Sequence, residues 1–354
     1  MSESNLERLL ERFKVLAQGD ATAQIDGPHF SRYAITNFRG GIGKSTIAFN
    51  LAWEVSRTKK TLLLDVCPQR NFTQSLLGED IFNIDSTIYD LFLSKIFSGI
   101  NKGETDESLV SVAPHCTAFK HGKKCYIIPG SSDLFLFPSV LYTQLGAVAQ
   151  LQGGTRARDA SKTILMTVMS IIKEASISLQ PDKVLVDTSP FFGGATHLAW
   201  VACEALIVPV RVDQHSLEAL RLTLSMLKDK TKDFLRLNEQ AGIVGAPRVH
   251  AIAVTHCGWN RQSPNTPDHS TQSYVKSIID ICLEYKELFS HEDVVDSIHL
   301  LDDFHSAGRI SGTRRVPLSQ LHSGDQFIIG GQRLEVNQSI TRYQTEMRSL
   351  AQVI

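Results

Sequence analysis

The most informative segment of the chain reads YAITNFRGGIGKST and covers residues 33–46. It begins with a short apolar run that is typical of a β-strand, and the residues that follow it place apolar side chains at helical spacing. Glycines between a strand and a helix allow the backbone to curl so that successive N–H groups face phosphate oxygens, and the start of the helix adds partial positive charge. The segment therefore predicts a phosphate-binding loop.

The side chains of this loop suit a nucleoside triphosphate. Lys44 would reach the β- and γ-phosphates, Ser45 would offer a hydroxyl to Mg²⁺, and Thr46 would hydrogen-bond a further phosphate oxygen. The remaining nucleotide contacts are expected from Gly40, Gly41, Ile42 and Gly43. The alternative is a glycine-rich turn that ends in GKS by chance, and the predicted strand before it and helix after it argue against that alternative.

The rest of the chain alternates between short apolar runs and amphipathic helical stretches. This alternation predicts right-handed βαβ units and hence a doubly wound α/β fold, with a mainly parallel sheet and helices on both faces. We expect a single domain over residues 31–354, with insertions near 98–124 and 301–335. Residues 1–30 are predicted to form an appended helix and a linker, because leucines and a phenylalanine at helical spacing precede a polar stretch.

Composition excludes several classes of protein. The 354 residues carry 36 basic and 37 acidic side chains, and this balance argues against a histone-like protein or a polyelectrolyte arm. No apolar run reaches the roughly 18 residues that span a bilayer. The six cysteines lie far apart without a C-x-x-C pair, which disfavours disulfide, zinc and iron–sulfur sites. We therefore expect a cytoplasmic protein with reduced thiols.

The loop from Asn37 to Ser45 resembles N-x-K-G-G-x-G-K-[ST], the phosphate loop of the ParA/MinD family of P-loop ATPases, at every position but one. Arg39 stands where that family has its signature lysine. The family's lysine reaches across a nucleotide-sandwich dimer to the partner's phosphates, and the resemblance implies this catalytic role for Arg39, because arginine keeps the charge. The alternative is that Arg39 is an ordinary solvated loop residue.

A second segment, TLLLDVCPQRNFT at residues 61–73, is similar to the family's D-x-D-P-Q-x-N-x-T sequence. The matching positions are Asp65, Pro68, Gln69, Asn71 and Thr73. Asp65 is expected to hold Mg²⁺ through water or to orient Lys44. Cys67 replaces the family's water-orienting aspartate, and a thiol is a weak hydrogen-bonding group. We therefore predict slow ATP hydrolysis, in which Gln69 is the alternative group that positions water.

A third segment, KVLVDTSP at residues 183–190, is an apolar strand that ends in the family's D-x-x-P switch. The resemblance implies that Asp187 reaches Mg²⁺ through water, beside Ser45 and Asp65. Pro209, in the strand that follows this switch, is expected near the adenine. No N-K-x-D or T-K-x-D guanine motif follows, so ATP is preferred to GTP. The resemblance covers about residues 33–300.

The resemblance implies a Mg·ATP-dependent switch ATPase that forms a homodimer when ATP binds. Such a protein partitions or positions DNA, for example a plasmid or a chromosome region, or another large cargo, and a ParB-like partner protein activates it. DNA would be bound nonspecifically at the nucleoid through contacts to phosphates, and solvated surface charge is the alternative interpretation of the basic residues. The candidate DNA contacts are Lys228, Lys230, Lys232, Arg236, Arg261, Arg309, Arg314 and Arg315.

Two other functions stay open. If Cys67 prevents turnover, the protein is an ATP-binding, non-hydrolysing dimeric scaffold or regulator. A MinD-like, membrane-associated positioning ATPase would need a basic amphipathic C-terminal helix. The C-terminal segment ITRYQTEMRSLAQVI has an apolar stripe but also Glu346, which favours a packed terminal helix and no stable membrane insertion.

Overall fold

An eight-stranded sheet forms the centre of the computed structural model, which describes residues 2–17, 25, 27–97, 99–100, 103–260 and 266–354. The strands are β1 (Arg32–Ile35), β2 (Thr61–Asp65), β3 (Val110–Ser111), β4 (Cys125–Ile128), β5 (Lys183–Asp187), β6 (Ala205–Arg211), β7 (Arg248–Cys257) and β8 (Ile298–Asp302). Their order is β3-β4-β2-β5-β1-β6-β7-β8, and every pairing among them is parallel except that of β3 with β4. The predicted α/β class with a mainly parallel sheet is confirmed.

Helices cover both faces of the sheet. They are α1 (Ser2–Ala17), α2 (Lys44–Ser56), α3 (Asn71–Leu77), α4 (Ile88–Ile96), α5 (Phe137–Ala149), α6 (Gly154–Leu165), α7 (Thr167–Leu179), α8 (Ala195–Ala202), α9 (Gln214–Lys228), α10 (Asp233–Gln240), α11 (His269–Glu284), α12 (His305–Arg314) and α13 (Ile340–Gln352). Buried apolar side chains form two cores. The first core contains residues of α1 and of α4 to α11, and the second contains residues of α2, α3, α12 and α13.

The carboxyl ends of the central strands meet at one level. Asp65 at the end of β2 is aligned with Asp187 at the end of β5, and Asp187 is also aligned with Ile35 at the end of β1. The strand order reverses around β1, which lies between β5 and β6. In open α/β sheets, ligands bind in the crevice outside the carboxyl ends at such a reversal. The fold therefore places a candidate site above β1, β2 and β5.

Helix α1 is part of the domain, so the expectation of an appended helix is wrong. Its apolar stripe, with Leu6, Leu9 and Phe13, is buried in the first core. The Phe13 ring stacks on Trp259 with ring centroids 4.9 Å apart, and Arg12 donates to the Val295 carbonyl oxygen at 3.1 Å. The helix packs because its stripe covers apolar surface beside α11 and α13. Residues 18–24 and 26 of the predicted linker lie outside the described residues.

The first predicted insertion contributes a strand to the sheet, and the second contributes a helix that packs on one face of the sheet. Within the first, β3 adds an antiparallel edge strand to β4. The second begins at the end of β8 and continues into α12, which contributes Ala307 and Ile310 to the second core. It then forms an antiparallel hairpin from β9 (Gln326–Ile329) and β10 (Gln332–Glu335). Helix α13 packs its apolar stripe into the second core, and no helix in the described part of the chain is long and apolar enough to cross a membrane.

Candidate nucleotide site

The loop between β1 and α2 takes a conformation that requires glycine at two positions. Gly41 has φ 71° and Gly43 has φ 90°, in the left-handed region that other residues rarely adopt. A Cβ atom at either position would meet no atom within 4 Å, so conformation is what requires glycine there. Helix α2 begins at Lys44, and the first turn of a helix leaves its N–H groups free for a ligand. The local geometry is that of an anion-binding loop.

A cavity of about 630 Å³ lies at this loop. Its walls come from the loop, the segment after β2, the segment after β5 and the end of α12. The lining residues are Gly40, Gly41, Gly43, Lys44, Ser45, Thr46, Cys67, Gln69, Asn71, Gln74, Ser75, Gly78, Glu79, Thr188, Pro190, Gly312, Thr313 and Arg315. The volume lies within the usual range of small-molecule sites, about 300–1,000 Å³. The structure therefore brings residues from all three sequence motifs to one cavity.

Lys44 lies at the centre of this arrangement. Its Nζ donates to the Arg39 carbonyl oxygen at 2.6 Å, so the ammonium lies across the phosphate loop. Burial lowers the pKa of Lys44, while the nearby carboxyl group of Asp187 opposes this change. A phosphate oxygen would replace a neutral carbonyl as the partner of this ammonium, and charge-assisted hydrogen bonds are the stronger kind.

Ser45 and Asp187 form a pair suited to Mg²⁺. The Ser45 hydroxyl donates to Asp187 Oδ2 at 2.7 Å, whereas the buried Oδ1 atom has no hydrogen-bond partner among the described residues. Burial, together with the nearby carboxyl group of Asp65, raises the pKa of Asp187 to about 8. A buried carboxylate without a partner is costly, and Mg²⁺ takes oxygen ligands from one or two carboxylates, water and phosphates. These two residues fit a magnesium ion bound with a nucleotide.

Asp187→Asn tests this pairing. The substitution keeps the size of the side chain and removes a buried carboxyl group whose ionised form is costly, so we expect the free protein to melt at or above the wild-type temperature. We also expect ATP to bind the variant equally well with Mg²⁺ and with EDTA, because the metal loses its carboxylate. Calorimetric titration with ATP measures this, with exposed Asp159→Asn as the matched control. A variant that still needs Mg²⁺ to bind ATP contradicts the assignment.

The carboxyl group of Asp65 accepts hydrogen bonds from neighbouring residues of its own chain. Its Oδ1 accepts from the Cys67 N–H at 3.0 Å, and its Oδ2 accepts from the N–H and the hydroxyl of Thr73 at 2.9 and 2.7 Å. The side chain is fully buried and does not line the cavity. Asp65 thus fixes the segment from Cys67 to Thr73, and its contact with Mg²⁺ or Lys44 stays a prediction.

Cys67 and Gln69 do line the cavity. Burial raises the pKa of the Cys67 thiol to about 12, so the thiol is neutral near pH 7 and cannot act as a general base there. Gln69 is exposed, and its Oε1 accepts from Asn71 Nδ2 at 3.3 Å. A side-chain amide with this access can orient water, so Gln69 keeps its predicted catalytic role as a hypothesis.

Three residues predicted to contact the nucleotide lie outside the cavity wall, namely Arg39, Pro209 and the buried Ile42. Arg39 forms an ion pair with Asp213 and donates to the Ser216 hydroxyl at 3.2 Å, at the start of α9. Pro209 is buried in β6, where its carbonyl oxygen accepts from Asn37 Nδ2 at 2.6 Å. A side chain that contacts the nucleotide of the partner subunit does not need to line the cavity of its own chain, so the prediction for Arg39 stays open. The structure does not bring Pro209 to the site, and its adenine contact stays a prediction.

The basic residues predicted to bind DNA do not form one surface. Lys228, Lys230, Lys232 and Arg236 belong to α9, α10 and the turn between them, which cover one face of the sheet, whereas Arg309, Arg314 and Arg315 lie on or next to α12 on the opposite face. Lys228 pairs with Glu287 at 2.5 Å, and Arg236 pairs with Asp233 at 2.6 Å. Arg261 lies outside the described residues. The two groups therefore lie on opposite faces of the sheet, and their contacts with DNA stay a prediction.

Sequence reasoning missed part of the cavity wall. The missed residues that follow the second motif are Gln74, Ser75, Gly78 and Glu79, and those at the end of α12 are Gly312 and Thr313. Helix α3 begins within the matched segment, at Asn71, so its position gave a usable signal. The end of α12 gave none, because the resemblance stops near residue 300 and the GRISGTRR segment was interpreted as a DNA contact.

Comparisons with known proteins agree with this geometry. A family model described as an AAA domain (AAA_31) matches residues 31–240. The chain is 29% identical over 199 residues to the chromosome-partitioning ATPase Soj of Thermus thermophilus, covering 56% of this chain and 61% of that protein. It is 28% identical over 187 residues to the chromosome partitioning protein ParA of Myxococcus xanthus, covering 52% and 54% of the two proteins.

Among solved structures, the chain is similar to an ATP complex of McdA from Cyanothece. The TM-score is 0.62 at 14% identity, and the match covers 92% of this chain and 97% of that one. At this identity the likeness shows the fold alone. The family model covers more than half of the chain, and with the partition ATPases and the shared fold it shows that the chain belongs to the ParA/MinD family of P-loop ATPases.

Proposed function

We propose that this protein is a Mg·ATP-dependent switch ATPase that dimerises when ATP binds and partitions or positions DNA or another large cargo. The observation that carries the proposal is the Oδ1 atom of Asp187, which has no hydrogen-bond partner among the described residues, while Oδ2 of the same carboxyl group accepts from the Ser45 hydroxyl beside the phosphate loop. The names of the Soj and ParA relatives support partition as the process. We propose a ParB-like protein as the partner that stimulates hydrolysis.

In this proposal each residue of the site has one task. The loop amides and Lys44 bind the phosphates, while Ser45 and Asp187 hold Mg²⁺, which stabilises charge on the phosphate oxygens. The Cys67 thiol leaves the attacking water without a carboxylate base, and Gln69 orients it instead. Hydrolysis is slow because an amide orients water but does not remove its proton near pH 7.

The switch in this proposal is the turn after β5. Thr188 is fixed to β1, because its hydroxyl donates to the Ile35 carbonyl oxygen at 2.9 Å. Two residues later, Pro190 lies beside the phosphate loop, where its Cβ would be 4.0 Å from a Cβ placed on Gly40. A γ-phosphate between these two segments would displace the turn. Nucleotide switches use such rearrangements to signal whether the γ-phosphate is present.

Dimerisation on ATP is the step that tests the proposal. We expect Mg·ATP, but not Mg·ADP, to convert the protein to a dimer in light-scattering measurements. Arg39→Ala should still bind ATP yet stay monomeric, and Arg39→Lys should restore the dimer, because in each chain Arg39 would exchange Asp213 for the partner's phosphates.

The ATP-bound dimer should also bind DNA in a salt-sensitive manner, which a mobility-shift measurement would detect. Monomers at saturating Mg·ATP would remove the dimer proposal, and no DNA shift at low salt would remove DNA as the cargo.

A non-hydrolysing scaffold is the second candidate function, and the neutral thiol of Cys67 favours it. In that case ATP would lock the dimer for partner binding and would not be consumed. The membrane alternative has no such support, because Ile340, Tyr343, Met347 and Leu350 of α13 are buried in the second core.

A further inference from the structure

An arginine from outside the family model enters the nucleotide cavity at the end of α12. Arg315 has left-handed backbone angles (φ 54°, ψ 41°), and its N–H donates to the Ser311 carbonyl oxygen. Its own carbonyl oxygen accepts from the Cys116 thiol at 3.4 Å. The Arg315 backbone is therefore fixed from both sides, and its side chain forms part of the wall of the cavity that Lys44 also lines.

The guanidinium of Arg315 lies against Gly78, where a Cβ atom would collide with it. Its Nη1 atom is buried and has no hydrogen-bond partner in the described part of the chain. Although Glu79 lines the same cavity, no ion pair joins Arg315 to a carboxylate among the described residues. Buried donors are normally satisfied, and one that is not calls for an explanation. A guanidinium in a phosphate-binding cavity is explained if its partner is an anionic ligand.

We propose that Arg315 is a further nucleotide-binding residue, whose guanidinium donates to a phosphate oxygen of the nucleotide bound in its own chain. The inference rests on the proposed nucleotide site. Arginine suits this contact because its planar fork binds phosphate through parallel hydrogen bonds. The residue acts from a part of the cavity wall outside the phosphate loop, whereas Arg39 is paired with Asp213 outside the cavity.

The segment that carries Arg315 is fixed to the phosphate-loop helix. The Leu318 N–H donates to Asn50 Oδ1 of α2 at 2.8 Å, and the Ser319 hydroxyl donates to Glu54 on the same helix. These contacts hold the end of α12 in place in the free protein. A contact that is positioned in advance costs less to form, so the guanidinium is ready for a phosphate.

Calorimetric titration of the full chain with Mg·ADP and Mg·ATP tests the proposal. Arg315→Ala should bind about 10- to 100-fold more weakly than wild type, as expected for loss of a charge-assisted hydrogen bond. Arg315→Lys should lie between the two, because it keeps the charge and loses the fork. Arg333→Ala, an exposed arginine of the neighbouring hairpin, is the matched control and should bind like wild type.

Adenosine separates a phosphate contact from a change in shape. Displacement of a fluorescent ADP analogue should give equal adenosine affinity for wild type, Arg315→Ala and Arg315→Lys. The proposal is overturned if Arg315→Ala loses as much affinity for adenosine as for ADP. It is also overturned if Arg315→Ala binds Mg·ADP and Mg·ATP within about twofold of wild type. If Arg315→Ala binds both nucleotides like wild type, the proposed function is still supported, provided that wild type binds Mg·ATP and Lys44→Ala does not. A wild-type protein that binds neither nucleotide overturns both.

Discussion

Lys44→Ala is expected to weaken Mg·ATP binding by about 100-fold or more, as loss of charge-assisted hydrogen bonds to two phosphates implies. ATP hydrolysis should fall to the background rate in the same variant. In the free protein the ammonium donates to the Arg39 carbonyl oxygen, and it makes no other hydrogen bond among the described residues. The substitution therefore removes the chief cation of the phosphate loop at little cost to the fold, and the thermal midpoint of the free protein should stay near the wild-type value.

The control for this variant is Lys173→Ala, which removes a lysine that is exposed on α7. It should leave nucleotide binding and turnover at wild-type values. Turnover in Lys44→Ala equal to that of wild type would mean that the measured ATPase belongs to a contaminant or to another site, and it would contradict the assignment of the loop.

Cys67→Asp is expected to raise ATP hydrolysis by about 100-fold, the lower end of what a positioned general base contributes. The residue lines the cavity, so an introduced carboxylate can accept a hydrogen bond from the attacking water. Burial beside Asp65 and Asp187 should raise the pKa of that carboxylate, as burial raises the pKa of the native thiol. The rate should therefore increase as the pH rises through this pKa. Single-turnover hydrolysis from pH 6 to 9 measures both effects.

Two further variants make the test of position 67 specific. Cys67→Asn has nearly the same shape as the aspartate variant but no base, so it should hydrolyse ATP at the wild-type rate. If wild type already hydrolyses ATP as fast as Cys67→Asp, the thiol is no obstacle and Gln69→Ala should then slow the reaction. If wild type binds ATP without turnover and Cys67→Asp hydrolyses it, the scaffold function is favoured.

The sequence was sufficient to predict the fold and the centre of the site, because both depend on local chemistry. Gly41 and Gly43 impose the curled loop. The strand before this loop and the helix after it can both be recognised from the periodicity of apolar residues. The apolar strands that end in Asp65 and Asp187 belong to one parallel sheet, so their ends meet. Proximity of these motifs is thus a consequence of topology.

The contacts that were not predicted depend on tertiary packing. Helix α1 has an amphipathic pattern that suits either an appended or a packed helix, and only the surface beside α11 and α13 decides between them. Asp65 is expected at the metal, yet its carboxyl oxygens accept hydrogen bonds from Cys67 in the loop after β2 and from Thr73 in α3. Arg315 is predicted to contact DNA, because nothing in its neighbouring sequence shows that α12 ends at the cavity.

A crystal structure of the full chain grown with Mg²⁺ and a non-hydrolysable ATP analogue tests the central claim most directly. We predict that the phosphates lie against the backbone of residues 40–46 and that Mg²⁺ lies between the Ser45 hydroxyl and the free oxygen of Asp187. Saturating analogue that leaves this loop without phosphates, or that binds elsewhere on the chain, would contradict the account.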